Sequence, residues 1–329
     1  MDMTVEKKRD AYVDVAKGIC ILLIVCIHAE VFGVIGMPIT FIAVPMFFFM
    51  SGFYDRTNKP FIQWFPKALR TLIVPAVIWI IVGGIFHELL QFIKTRQIEP
   101  ITFDYLNPCT YNGPAWFLFA LLYAKILTWF LTTIKIPIYL MIMFSLGLGY
   151  LGSTFQMPML IDEGFAAFPL YLSGKLLYPY LKRLYSNYLM VILGLLSLSA
   201  FLFSWVSYTI VPIDNGLYQP LYIVALVAIN FVFFPVLLLS SWLKRCSMLQ
   251  SLGSHSLGIM LLHAPMCHTA AVILNRLFDK GSMVWIVLFM VAYIAIVFIS
   301  YFITLMIEKK MPFLFGKEKN DNIFMSEWI

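Results

Sequence analysis

Long apolar stretches recur along the whole chain, separated by polar turns. Each stretch is long enough, or nearly so, to cross the roughly 30 Å hydrocarbon core of a bilayer as an α-helix. Ten spans are predicted, near residues 12–33, 40–54, 69–91, 115–134, 136–152, 164–181, 187–210, 218–243, 256–276 and 283–307. The pattern therefore predicts an all-α fold, a polytopic membrane helix bundle that forms one integral-membrane domain over residues 1–329.

The composition agrees with lipid as the solvent of this fold. Of the 329 residues, 61% are hydrophobic and only 12% are charged, whereas a typical soluble domain has about 25% charged residues. A soluble fold of this size could not bury so much apolar surface. The composition therefore excludes a cytosolic enzyme and a disordered protein. The five cysteines show neither a disulfide framework nor the spacing of a metal site.

Basic residues orient the bundle across the membrane. With a cytoplasmic N-terminus, the turns on that side hold most of the lysines and arginines, from Lys7, Lys8 and Arg9 to Lys309, Lys310, Lys317 and Lys319. The positive-inside rule then predicts both termini in the cytoplasm, with tails over 1–11 and 308–329. The net charge of +6 is scattered over loop ends, so no nucleic-acid partner is expected. The expected location is the inner (cytoplasmic) cell membrane.

The first predicted helix carries two ionisable residues, Lys17 and His28, within its apolar run. Their spacing of eleven residues is about three helical turns, or about 16 Å of rise, so both lie on one face. An ionisable residue at membrane depth is costly and by default indicates a functional site. Two structural alternatives stay open. Lys17 could extend to the lipid headgroups, and His28 could be a hydrogen-bonded packing residue.

Five segments of the chain form an ordered set of motifs. The first is the basic-x10-His pattern of Lys17 and His28. The others are, in order along the chain, Pro45-Met-Phe-Phe-Phe-Met-Ser51-Gly52-Phe53; Lys67-Ala-Leu-Arg70 with Pro75 and Trp79; Pro114-Ala-Trp116-Phe117-Leu118; and Leu252-Gly253 through His263-Ala-Pro265. Together these segments resemble the integral-membrane acyltransferase 3 family, whose members O-acylate surface glycans, lipids and related molecules, and they follow the order typical of that family. Lys67 departs from the family pattern, which more often has an arginine at that position.

The resemblance implies an O-acyltransferase that moves an acyl group, expected to be acetyl, from cytoplasmic acyl-CoA to a hydroxyl of a cell-surface polysaccharide, glycolipid or similar acceptor. Acyl-CoA would be the donor substrate, with no permanently bound cofactor and no metal. His28 and Lys17 would be catalytic, His28 as a general base or as a covalent acyl carrier. Expected partners are the glycan or lipid-linked acceptor, the bilayer, and a second copy of the chain or the surface-polysaccharide machinery.

The donor site is assigned to Lys67 and Arg70, at the cytoplasmic mouth of the bundle. The phosphates of acyl-CoA need basic groups there, and the two residues are one helical turn apart. Lys67 would offer a point charge without the fork of a guanidinium group. The alternative is that both charges only anchor the helix end by the positive-inside rule.

Four further residues are assigned to the acceptor or its pocket: Glu30, Trp116, His263 and His87. Glu30 is two residues beyond His28 and would bind acceptor hydroxyls. Trp116 could instead belong to an interfacial aromatic belt, and His263 could serve an interhelical hydrogen bond. His87 could simply reach the headgroups.

A secondary transporter or flippase of a glycan precursor is the main alternative function. Such proteins typically have inverted repeats and broken helices in both halves, and the chain has no clear repeat. A structural scaffold is less favoured, because it would not need Lys17, His28 and His263 at membrane depth.

Overall fold

The structure, a computed structural model, describes residues 10–28, 36–55, 57–97, 100, 102–184, 236–237 and 239–318. These residues contain no strand, so the all-α prediction is confirmed for them. The helices are α1 (Ala11–His28), α2 (Gly36–Phe53), α3 (Phe61–Ala68), α4 (Val74–Thr95), α5 (Trp116–Thr133), α6 (Ile138–Thr154), α7 (Ile161–Leu184), α8 (Ser247–Ser254), α9 (Ser256–Leu277) and α10 (Met283–Lys310).

Five helical stretches in the described part of the chain are long and apolar enough to cross a membrane. They are Ala11–His28, Phe61–Ile93, Gly113–Thr133, Ser256–Leu277 and Met283–Lys310, and Ala43–Phe53 and Ile138–Thr154 are shorter apolar helices. The membrane character of the chain is therefore confirmed. The total of ten spans stays a prediction. The predicted span 164–181 corresponds to α7, which is not among these apolar helices, and the span 187–210 and most of 218–243 lie outside the described residues.

The predicted topology can be tested with reporter fusions. A reporter fused after Ile329 is expected to lie in the cytoplasm, and one inserted within 97–112 outside it, because the Lys/Arg bias alternates between these ends. A pair of reporters, one active only in the cytoplasm and one only outside it, measures the side of each fusion. Finding both fusion sites on the same side would contradict the ten-span, N-in/C-in arrangement.

Glycines bring the central helices of the bundle close together. α2 packs against α7, and a side chain on Gly52 or Gly174 would collide with the backbone of the facing helix. α1 packs against α8 in the same manner, at Gly18 and Gly253. Small residues allow such close backbone approach in membrane bundles, where van der Waals packing drives helix association. α1 also contacts α2 and α9, so it lies at the centre of the site described below.

The third predicted span begins earlier than residue 69. α3 starts at Phe61, and a π-helical segment over Leu69–Ile73 joins it to α4, so the helical run is continuous. Pro75 follows the segment and has no N–H to donate to the preceding turn. Wide π turns are found at such interruptions, often at functional sites. Lys67 and Arg70 therefore lie within the helical run, and not in the turn before it.

The segment after α10 folds back onto the N-terminal part of α4. Its 3₁₀ turn, Pro312–Phe315, places the Phe315 ring on that of Trp79, with centroids 5.6 Å apart and planes nearly parallel. The Trp79 indole N–H donates to the Leu314 carbonyl at 3.1 Å. Gly316 has a φ of +68° and lies against the Arg70 backbone, where no Cβ would fit. We call residues 312–318 the C-terminal strap.

Candidate active site

Two histidines from distant parts of the sequence meet in the bundle. His28 is the last residue of α1, and His263 lies in α9. Their ring centroids are 5.0 Å apart, and the ring planes are inclined by 58°. His263 is fully buried, whereas His28 is exposed. The structure therefore places a residue assigned to the acceptor pocket beside the residue assigned to catalysis.

The hydrogen bonding of His263 determines which of its nitrogens is free. Its Nδ1 lies 3.0 Å from the Ile259 carbonyl oxygen, in the preceding turn of α9. A carbonyl can only accept, so Nδ1 carries the hydrogen, and Nε2 of the neutral ring has the lone pair. Nε2 is buried and has no hydrogen-bond partner among the described residues. A buried acceptor without a partner is uncommon and indicates a place for a ligand group or a proton.

Lys17 lies deep in the bundle, away from the histidine pair. It is 7% exposed, on the part of α1 that packs against α8. This burial disfavours a side chain extended to the headgroups. Because eleven residues of helix separate it from His28, the rise along α1 is about 16 Å. The structure therefore does not bring Lys17 to the imidazoles, and any role in the reaction would lie nearer the N-terminal end of α1.

Arg70 is paired with the C-terminal strap. Its Nη1 contacts the Glu318 carboxylate, and the two side chains are 36% and 57% exposed. An exposed pair of this kind contributes little to stability, about 0–1 kcal/mol. The Arg70 Nε is buried and has no hydrogen-bond partner among the described residues. An anion with several oxygens could use this N–H and displace Glu318.

A second ion pair holds the C-terminal strap to the C-terminal end of α10. The Lys317 Nζ lies 2.6 Å from a carboxylate oxygen of Glu308, which is buried. The other oxygen of that carboxylate is 3.4 Å from the His255 Nε2. The sequence offered only a weak signal for this cluster, a single glutamate near the end of an apolar helix.

A buried charge pair joins the C-terminal end of α2 to α7, and sequence reasoning missed it. Asp55 follows α2, outside the membrane-spanning part, and its side chain is 2% exposed. The Lys175 Nζ is 2.8 Å away, and the Tyr171 hydroxyl donates to the same carboxylate at 2.6 Å. Burial alone would raise the pKa of Asp55, but Lys175 and Tyr171 outweigh it and hold that pKa below its ordinary value.

Two of the remaining predicted pocket residues form ring contacts with aromatic side chains other than the paired histidines. The half-buried Trp116 ring lies 5.8 Å from that of Phe48 in α2. The exposed His87 ring lies 5.6 Å from that of Tyr111. Glu30 lies outside the described residues.

The side chains that most often bind metals are dispersed in the described part of the chain. No group of three or more His, Cys, Asp or Glu residues there is arranged to hold a metal ion. All five cysteines are free thiols, and four of them are buried.

Comparison with known families identifies the class of protein to which this bundle belongs. A family model described as an acyltransferase domain matches residues 10–305, which include both paired histidines, Lys17, Lys67 and Arg70. No curated protein and no solved structure matches the chain. The family match covers nearly the whole chain and agrees with the helical membrane bundle. The chain therefore belongs to the acyltransferase 3 family of integral-membrane acyltransferases.

Proposed function

We propose that the protein is an O-acyltransferase of the inner cell membrane, which moves an acetyl group from cytoplasmic acyl-CoA to a hydroxyl of a cell-surface polysaccharide or glycolipid. The observation that carries the proposal is the contact between His28 and His263 in a bundle of this family. Acyl transfer to a hydroxyl needs a group that accepts the hydroxyl proton, and imidazole suits that task near neutral pH.

The reaction can follow two routes at this pair. In the direct route, His28 takes the proton of the acceptor hydroxyl as its oxygen attacks the thioester carbonyl, and the CoA thiolate leaves and is protonated. In the covalent route, the unprotonated nitrogen of the neutral His28 ring attacks the thioester, the N–H proton of the ring passes to the departing CoA thiolate, and an acyl-imidazole remains. The acceptor oxygen then attacks that carbonyl and His28 is released.

The second histidine supports the covalent route. Once the His28 ring carries the acyl group, a separate base must take the proton of the acceptor hydroxyl. The Nε2 of His263 accepts no hydrogen bond from any described residue, so its lone pair is available. The centroid of the His263 ring is 5.0 Å from that of the His28 ring. His263 would therefore act as the base of the second step. A carrier at the outer end of α1 would also allow a cytoplasmic donor to serve an external acceptor.

The donor phosphates would bind at the opposite end of the bundle. Lys67 lies one turn before Arg70, which forms a weak ion pair with Glu318. The phosphates of acyl-CoA are multiply charged and could replace that single carboxylate. The extended pantetheine arm would then run through the bundle toward His28, leaving the nucleotide on the cytoplasmic side.

An assay of acyl transfer tests the proposal directly. Membranes containing the protein are incubated with radiolabelled acetyl-CoA, and the label in the endogenous glycan is measured against membranes that lack the protein. We expect glycan labelling only with the protein present. A glycan that appears at the surface only when the protein is present, but never carries label, would contradict the proposal and favour the transporter or flippase alternative.

Arg70→Ala is expected to weaken acyl-CoA binding about tenfold or more. A hydrogen bond to a charged group contributes about 1.5–3 kcal/mol, and about 1.4 kcal/mol corresponds to a factor of ten. Titration calorimetry of the purified protein with acetyl-CoA measures the change in Kd. Lys67→Arg is expected to bind at least as tightly as the parent protein, because a guanidinium group can contact a phosphate through two N–H groups.

The Glu318→Gln variant is the control for this experiment. It breaks the same ion pair from the other side but leaves Arg70 in place. We therefore expect acetyl-CoA binding equal to or tighter than that of the parent protein. Unchanged binding in Arg70→Ala would show that this arginine is only an anchor of the helix end. If acetyl-CoA binding weakened equally in both variants, the cause would be the broken contact with the C-terminal strap and not a lost contact between Arg70 and the acetyl-CoA phosphates.

A further inference from the structure

Asn112 makes hydrogen bonds to two helices at once. It directly precedes the 3₁₀ turn Gly113–Ala115 and is 2% exposed. Its Nδ2 donates to the Leu261 carbonyl of α9 at 3.1 Å and to the Trp79 carbonyl of α4 at 3.2 Å. Both partners can only accept, so the amide nitrogen, and not Oδ1, must face them. The bonds therefore connect α9 to α4 through one side chain.

The bond to Leu261 replaces a hydrogen bond that α9 cannot make by itself. In an α-helix the Leu261 carbonyl would accept from the N–H four residues later, but that residue is Pro265, which has no N–H. Leu261 is fully buried, so water does not reach it. A buried carbonyl needs a donor, and Asn112 supplies one.

The loop that carries Asn112 is held in place on both sides. The Asn112 N–H donates to the Cys109 carbonyl at 2.9 Å, and its own carbonyl accepts from the Ala115 N–H at 3.0 Å. On α4, Gly83 lies against the Tyr111 carbonyl, where a Cβ would collide with it. The missing side chain allows the loop to approach α4 closely enough for the amide to reach the Trp79 carbonyl.

We propose that Asn112 is a positioning residue for His263, an inference that rests on the proposed function. His263 lies between Leu261 and Pro265, so the bond fixes the turn of α9 that carries this imidazole. His28 is held by the packing of α1 on α2 and α8, and α1 also packs directly on α9. The distance between the two rings therefore depends both on that packing and on the connection of α9 to α4. A displacement of about 1 Å in such a site can lower the rate about 10²-fold.

A double-mutant comparison shows whether Asn112 positions His263 or only supplies a hydrogen bond to the Leu261 carbonyl. Asn112→Ala removes both donors, whereas Pro265→Ala introduces an N–H that can bond to the Leu261 carbonyl within α9. Purified variants and membranes are compared by melting temperature, by the KM for radiolabelled acetyl-CoA, and by the maximal rate of label transfer to the endogenous glycan. The rate of the variant that carries both substitutions is compared with the rate of Pro265→Ala alone, which is the matched control.

We expect Asn112→Ala to lower both the melting temperature and the maximal rate, the rate by about 10²-fold, with the KM for acetyl-CoA unchanged. In the double variant the melting temperature should recover, but the rate should stay about 10²-fold below that of Pro265→Ala, because α9 is still not connected to α4. Recovery of the rate to that of Pro265→Ala would overturn the inference, as would an Asn112→Ala variant with the parent rate. Absence of transfer by the parent protein would instead refute the proposed function itself.

Discussion

His28→Ala is expected to abolish acyl transfer while leaving membrane insertion and acyl-CoA binding intact. If His28 is only a base, its loss typically lowers the rate about 10²–10⁴-fold, and if it carries the acyl group no transfer remains by that route. The change removes an imidazole at an exposed position, so no large loss of stability is expected. Label transferred from acetyl-CoA to glycan, normalised to the amount of protein in the membrane, measures the effect.

Single-turnover labelling distinguishes the two routes. Purified protein is mixed with radiolabelled acetyl-CoA in the absence of acceptor, quenched, and analysed for label on the chain. Only the covalent route leaves label on His28. In that route His263→Ala should still trap label in the absence of acceptor but should release it more slowly once acceptor is added, because the second step then lacks its base. If His28 carried no label in the parent protein or in His263→Ala, the covalent route would be excluded and the direct route would remain.

The exposed His268 provides a matched control on the same helix as His263. His268→Ala should transfer acyl groups at the parent rate, so that the loss of an imidazole as such is not the cause of the effect. If His28→Ala kept a rate close to that of the parent protein, the catalytic assignment would be wrong. The transporter or flippase alternative would then be favoured.

Asp55→Asn is expected to destabilise the protein by about 3 kcal/mol near neutral pH, since removing one partner of a buried ion pair leaves the other charge uncompensated. The Lys175 side chain is 17% exposed, so some water reaches the pair and the lower part of the usual range applies. The folded-state pKa of Asp55 is lowered, so its contribution is present above the unfolded-state pKa, about 4, and is lost as the pH falls through the folded-state value.

Thermal unfolding of the detergent-solubilised protein measures this effect. The difference in melting temperature between the parent protein and Asp55→Asn should be full from pH 5 to pH 8 and should shrink in more acidic buffer. Adding Lys175→Gln to Asp55→Asn should recover part of the loss, because no charge is then left buried. Asp279→Asn, an exposed position, is the control without an effect. Equal melting of Asp55→Asn and the parent protein at pH 7 would show that the pair is not stabilising.

The helical membrane fold could be predicted from the sequence, and individual site residues could be proposed from it, because the signals for both are local. Apolar run length predicts a span, and His28 is conspicuous because it is polar within such a run. The contact between His28 and His263 could not be predicted, since it depends on how α1 and α9 pack across more than two hundred residues. Asn112 is a still clearer case. It resembles any loop asparagine until the proline-interrupted helix 149 residues away is placed beside it.

The ion pairs of Asp55 and Glu308 could not be predicted from the sequence for a related reason. Asp55 and Glu308 each look like a charge just beyond a span, which the positive-inside rule treats as solvated loop. Their burial arises from neighbours on other helices and on the C-terminal strap. The helical start at Phe61 was missed because the apolar signal of residues 61–68 is interrupted by polar and charged side chains.

The π segment over Leu69–Ile73 accommodates about one residue more per turn than the α-helices it joins. Deleting Thr71 would remove that extra residue and restore an uninterrupted α-helical repeat. α3 would then keep nearly its present direction relative to α4, because the wider turn already accommodates one residue more than an α turn. Lys67 lies before this segment and Trp79, which holds the strap, lies after it. A one-residue deletion within the segment would therefore leave Lys67 on the same side of the helix relative to Trp79, whereas a deletion in the α-helical part that follows would rotate the two by about 100°.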